Sequence, residues 1–507
     1  MIHRISLPHI LSSLLAIVLG LFLYLLFMLD VLNIRLAYIS LSVLLLVYLS
    51  LEVDRVRRVH PERWLVNPAV LGSFMTFVLS YGATNALFFL PAKNLELLGL
   101  VPDVTPAMVK LMWLVLVAAI AMWWGYWSPI AAYLSRTKAI SRFQSRFLPR
   151  LSRLKSLVLP SIMVLAIGAR ILQIRLGVFG YSSIYDRLIE MGSVTQYLAM
   201  VAGLGKLALV LAALQFFSNR NSIKARIWLY SLLALEVFWG LLSGFKSAVV
   251  MPFVIAGLCQ YLTTGKLPKL WITCFIAAIF AAYTIIEPFR VTSMENPAFT
   301  SATIPSIAET MLESRTIDSA GDSAPVLISL ASRFNLSYIG SFGVAYADDT
   351  PDWEINAPRF LNDIMLAPAH AWIPRLLWES KSVGNIGLWY TQEVLGLHHF
   401  SSTGMGPVTY LYFAGGVVAV FIGFFCLGII QRALFFLLQP WASLAGAMIF
   451  LNMLQTVTVI DSAVNGMIIT WLRELPILFV LQLLIFVKAR RQFVGGTSPQ
   501  NGRYAEC

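Results

Sequence analysis

Arg170, Arg175, Lys246, Arg290, Arg333, Arg375 and Lys381 each fall at, or in the loops beyond, the same end of an apolar segment, where a charge is costly and needs a reason. Snorkelling or pairing with a loop acid would account for any one of them. Their convergence fits an anionic ligand, above all a phosphate, which a guanidinium group grips with two parallel hydrogen bonds. Lys246 has the best-defined setting. It stands in Ser243-Gly244-Phe245-Lys246-Ser247, a tight turn opening a helix, where exposed backbone N–H groups and the helix dipole add partial positive charge. The turn lacks the Gly-x-x-x-x-Gly-Lys-Ser/Thr spacing of a nucleotide-binding P-loop.

Cations of this kind suit transfer of a group from an anionic, lipid-linked donor, because they stabilise a leaving pyrophosphate while a base deprotonates the acceptor. His370, His398, His399, Glu379 and Glu393 are the base candidates. Histidine, with a reference pKa of about 6.5, is well matched to that task. Paired loop histidines are equally at home as plain surface residues. No structural disulfide and no zinc site is expected: Cys259, Cys274 and Cys426 lie inside apolar runs, Cys507 is terminal, and no Cys-x-x-Cys pair occurs.

The elements that must position these residues are membrane helices. Of 507 residues 58% are hydrophobic and 12% charged, half the ~25% charged share of a soluble domain. Apolar runs predict about twelve spans, near 7–29, 33–51, 65–90, 106–134, 157–177, 195–218, 227–243, 247–263, 270–287, 405–430, 434–458 and 464–487. The first run is longer than a signal-peptide core and lacks a small-x-small cleavage site, so it should stay as an anchor. Alternate loops are rich in Lys and Arg, most of all Arg136 to Lys155, which holds seven basic residues and no acid. By the positive-inside rule those loops and both termini are cytoplasmic, and the net charge of +12 reports topology, not a nucleic-acid partner.

The chain thus divides into spans over 1–287, an external segment over 288–404 and further spans with a basic tail over 405–507. The external segment holds twelve acidic and six basic residues. Pro305 to Arg315 and Pro358 to Leu366 carry apolar positions at helical spacing and are expected to lie on the membrane surface. Asn452, Gln455, Asp461, Asn465, Arg473 and Glu474 interrupt the last two spans; adjacent residues point about 100° apart on a helix, so Arg473 and Glu474 should each meet a neighbouring helix.

The Ser-Gly-x-Lys-Ser turn with Pro252 beyond it, Ile373-Pro374-Arg375-x-x-Trp378-x-x-Lys381, and Ser401-Ser402-Thr403-Gly404-Met405-Gly406-Pro407 leading to Tyr410 and Gly415-Gly416 together resemble the Wzy-type oligosaccharide repeat-unit polymerases of O-antigen and exopolysaccharide synthesis. The resemblance covers about residues 160 to 430. Where that family often has an acid before the tyrosine and an Asn-Phe-Gly run, this sequence has Val408 and Tyr412-Phe413-Ala414. The resemblance implies an all-α membrane glycosyltransferase of GT-C-like fold in the bacterial inner membrane, with a helical periplasmic loop. It would join undecaprenyl-pyrophosphate-linked oligosaccharides without a metal, in company with a flippase and a chain-length regulator. Arg375 is the matched cation, followed by Lys246 and Lys381. Two other readings stand beside it: an O-antigen ligase using the same donor, and, in a different class, a flippase or transporter of lipid-linked oligosaccharide. A transporter built from duplicated bundles would show an internal repeat, and none is apparent.

Overall fold

Among the described residues, eleven helices are long and apolar enough to cross a membrane, and the chain is a polytopic helical membrane protein. The computed structural model describes residues 7–89, 103–137, 140, 142, 144, 152–154, 157–180, 194–195, 197–295, 331, 334–350, 357–373, 378, 386–397, 403–458 and 464–488. In chain order the helices are α1 (Leu7–Met28), α2 (Ile34–Val59), α3 (Pro68–Phe89), α4 (Pro106–Trp127), α5 (Pro129–Arg136), α6 (Val158–Arg175), α7 (Tyr197–Ser218) and α8 (Ile223–Ser243). They continue with α9 (Lys246–Thr264), α10 (Lys269–Glu295), α11 (Leu336–Asp349), α12 (Ala357–Trp372), α13 (Ile386–Trp389), α14 (Pro407–Leu438), α15 (Leu444–Thr458) and α16 (Val464–Ile485).

Local chemistry sets the boundaries. Thr105 caps α4 by accepting from the Met108 N–H, with Pro106 in the first turn, and Ser222 caps α8 by accepting from Ala225. Gly244 and Gly265 end α8 and α9 in the left-handed conformation. The eleventh expected span is shorter than its apolar run suggests. Residues 434–438 belong to α14, which ends at a left-handed Gln439, so α15 starts at Leu444 and has only 15 residues.

Two apolar cores share the molecule. One is built from α2, α4, α11 and α14, the other from α7, α8, α9 and α15. The helices α4 and α14 meet backbone to backbone: a Cβ on Gly125 would stand 1.9 Å from the Phe425 carbonyl oxygen, and one on Gly428 1.9 Å from that of Met122. Small residues let helices approach this closely. Further up, α14 breaks at Gly415 and Gly416, whose dihedrals are non-helical, and the Leu411 side chain comes to lie against Gly423.

The third span is not one regular helix. Its middle, Ser73–Gly82, is wound in the wide π form and its end, Ala83–Phe89, in the tight 3-10 form. The irregular winding turns polar groups inward. Asn85 donates to Ser42 Oγ (3.0 Å), while its side-chain carbonyl accepts from Asn335 (3.1 Å) and Ser337 (2.8 Å) at the start of α11.

That contact draws part of the segment 288–404 into the bundle. The helix α11 is not a surface helix; it buries Ser337, Gly340, Ser341 and Gly343 against the bundle, with Thr409 beside both glycines. Its far end is fastened where Lys110 Nζ donates to both Asp348 oxygens (2.7 and 2.6 Å) and Tyr412 to one (2.7 Å). The helix expected over Pro358 to Leu366 exists as α12, extended to Trp372, and packs along α16. Pro305 to Arg315 lies outside the described residues.

At the opposite end of the bundle, a fully buried Glu52 accepts from Arg55 (2.6 Å) and Trp127 Nε1 (3.1 Å) and pairs with His9 (3.0 Å), tying α1 to α2 and α4. There, too, β1 (Ser152–Leu154) pairs antiparallel with β2 (Phe486–Lys488), and Gln144 donates to the last carbonyls of α14 at Phe436 (2.6 Å) and Leu437 (3.0 Å).

Candidate functional site

Four spans bring five charged side chains together inside the bundle: Arg170 of α6, Lys206 of α7, Glu236 of α8, and Arg473 and Glu474 of α16. Arg170 and Glu236 are both buried. The guanidinium donates through Nη1 to one carboxylate oxygen (2.7 Å) and through Nη2 to the other (2.8 Å), and it lies 5.6 Å from the centre of the Trp239 ring. Such a fork is the strongest form of the pair, and membrane burial leaves it no water to compete with. The helix α7 passes the pair at Gly205, where a Cβ would stand 2.3 Å from Glu236 Oε1 and 2.8 Å from Arg170 Nη2. Lys206, the next residue, is within electrostatic reach of both Glu236 and Glu474.

All five charges lie below one end of the bundle, the upper end, where α6 and α8 finish and α7, α9 and α16 begin. Arg170 is five residues from the end of α6, Glu236 seven from the end of α8, Lys206 nine from the start of α7 and Arg473 nine from the start of α16. At about 1.5 Å per residue these positions are roughly 8 to 14 Å down their helices. Arg170 and Lys206 are matched by Glu236 and Glu474, and Arg473 stands apart from them. Arg473 spends its donors on backbone: Nε donates to the Ala371 carbonyl (2.7 Å) and Nη2 to that of His370 (2.8 Å) in α12. Arg473 and Glu474 thus face different helices, as their adjacency requires.

Of the residues singled out in the sequence, Arg170 belongs to this cluster, already engaged by Glu236. Arg175 is exposed at the end of α6. Lys246 is half-buried at the first position of α9, at the same upper end. Gly244 takes the left-handed conformation (φ 68°) that the turn requires. Ser243 is occupied in the turn itself, donating to the Gly240 carbonyl (2.8 Å) and accepting from the Phe245 N–H (3.3 Å). His370 is buried in α12, its ring 4.9 Å from that of Trp378, and does not face open solvent as a loop histidine would. Glu393 is exposed on the turn Tyr390–Val394. Arg290 falls in the last turns of α10. Arg333, Arg375, Glu379, Lys381, His398 and His399 lie outside the described residues.

The sequence reading missed Lys206 and Glu236. Their signal is a single charge inside an otherwise apolar run, in Leu204-Gly205-Lys206-Leu207 and Leu235-Glu236-Val237, and such charges mark function or partnership. Among the described residues no group of three His, Cys, Asp or Glu could hold a metal ion.

No curated protein and no solved structure matches the chain. A family model does, over residues 165–457, a stretch that takes in Arg170, Lys206, Glu236, Lys246 and the segment 288–404. Its description is a domain of unknown function, and by that match, which spans more than half of the sequence, the chain belongs to the DUF8712 family.

Proposed function

We propose that the chain is a membrane glycosyltransferase that joins lipid-linked oligosaccharide repeat units at the outer face of a bacterial inner membrane. The observation that carries this reading is Lys246 at the first position of α9, with Arg170, Lys206 and Arg473 below it, at the end of the bundle on which α11 and α12 are also fastened. A polyprenyl pyrophosphate presents its charge near the membrane surface and its tail to the lipid, and a cation at the level of Lys246 suits it. In the step proposed, a hydroxyl of the incoming repeat unit attacks C1 of the donor's reducing-end sugar. The C1–O bond to pyrophosphate breaks, undecaprenyl pyrophosphate leaves with the electron pair, and the hydroxyl proton passes to a base. Lys246 and Arg375 offset the charge that develops on the leaving group; the base belongs to the segment 288–404.

The test is Arg375→Ala in the native host. Loss of polymer with accumulation of single lipid-linked repeats supports the reading, and normal-length polymer from a correctly inserted variant overturns it. Finished polymer left on its carrier indicates a ligase.

One observation favours a second reading. Arg170–Glu236 and Lys206 beside Glu474 are oppositely charged partners within the membrane, and such pairs mark the pathways of carriers. Purified protein in liposomes separates the two: flipping of a lipid-linked oligosaccharide without formation of longer chains favours transport.

A further inference from the structure

The helix α12 carries an unusual distribution of polarity. Its polar residues Arg359, Asn362 and Asp363 are confined to the first turns. From Ile364 onward every outward-facing residue is apolar: Met365, Leu366, Pro368 and Trp372, with Ile373 just beyond the helix. Met365 is 72% exposed and Trp372 59%, whereas polar His370 is buried. A helix lying on a membrane surface would show charge along its outward face. This one shows the reverse over its second half.

Its direction can be read from its partners. Near its start, Phe360 packs on Tyr410 (5.2 Å between rings) and Phe413 in the first turns of α14, and Ile364 joins Val464, the first residue of α16, in the same apolar cluster. Near its end, His370 and Ala371 meet Arg473. The two helices therefore run side by side in the same direction. Because Arg473 is nine residues into α16, the last turn of α12 lies about 14 Å below the start of that span, near mid-depth of a ~30 Å hydrocarbon core. The chain then returns: Trp389 packs on Phe360 (5.3 Å) and Phe413 (5.7 Å), back at the level of the first turn.

The geometry points to α12 as a re-entrant half-helix, entering the membrane beside α16 with Leu361, Met365, Leu366 and Trp372 against lipid acyl chains. Its outward face continues that of α16, where Ile477, Val480, Leu483 and Leu484 are exposed. A helix ending in hydrocarbon leaves carbonyl groups without water, which is tolerated only where protein satisfies them. Arg473 does so for two, and its charge also offsets the negative end of the helix dipole. This inference does not depend on the catalytic reading.

Depth measurement by spin label tests it. Single-cysteine variants of the full chain at Arg359, Met365, Trp372 and Val480, made with the native cysteines replaced, are labelled and reconstituted in phospholipid vesicles. Collision with oxygen, which enters the bilayer, is compared with collision by a water-soluble nickel chelate. The oxygen-to-nickel ratio should rise from Arg359 through Met365 to Trp372, reaching the range of lipid-facing Val480, roughly tenfold or more above Arg359. A ratio at Trp372 equal to that at Arg359 overturns the proposal. Met365 and Trp372 point outward, so their replacement spares the packing, and Met365 alone distinguishes the outcomes should a Trp372 variant fail to fold.

Discussion

Arg170 and Glu236 face each other across two helices through two parallel hydrogen bonds, 2.7 and 2.8 Å long, in a buried setting closed by Gly205 and Trp239. Removing one partner strands the other charge in the membrane. Arg170→Met or Glu236→Met alone should cost about 3 to 5 kcal/mol, whereas the two together should recover most of it. Unfolding in detergent, read as a double-mutant cycle, gives the coupling. If the double variant regains stability but not activity, the pair serves function beyond the fold.

The contact between α4 and α14 leaves no room for a methyl group. Gly428→Ala would drive a Cβ into the Met122 carbonyl, and the backbone cannot yield as a flexible side chain would. The expected loss is about 1 to 3 kcal/mol. A lowered melting temperature of the purified protein checks it, and Gly168→Ala, with open space around it, should not lower that temperature.

Lys246→Ala should abolish polymer without disturbing insertion, if the catalytic reading holds. Lys246→Arg keeps the charge and should retain part of the activity. A polysaccharide gel from cells carrying each variant is the readout. Removing two charges between Arg136 and Lys155 should instead alter orientation alone, seen with a reporter fused at the C-terminus.

Tyr390 predicts an alkaline limit. Burial holds its hydroxyl well above the ordinary tyrosine range, against a backbone hydrogen bond at Gly343 that pulls the other way. The phenol therefore stays neutral in the folded protein while an unfolded chain ionises near pH 10. Its stabilisation is whole below that pH and falls as pH rises toward the folded value. Tyr390→Phe should cost about 1 kcal/mol at neutral pH, for the lost bond to the Ile339 carbonyl, and should flatten the alkaline fall in unfolding scans.

The spans were legible because each needs a long apolar run, and the helices from α1 to α10 stand near their expected places, except that Ser128 cuts the fourth expected span into α4 and α5. The depth of α11 and α12 was not. Fourteen and sixteen residues are too short for a span signal, and the face that buries α11 consists of Ser337, Gly340, Ser341 and Gly343, which read as loop until Thr409 and Tyr390 are seen against them. Arg170 was legible as a charge out of place. Glu236 and Lys206 were not recognised as its company, since residues 36 and 66 positions away become neighbours only when α6, α7 and α8 are bundled.

The strand pair between Ser152–Leu154 and Phe486–Lys488 joins positions more than three hundred residues apart. Ribosomal synthesis delivers the second strand only after α16, so this hydrogen-bonded clasp cannot close before that span is made. It fastens the most basic loop to the residues that follow α16, and a protein shortened before Phe486 should complete its spans yet leave that loop unlatched.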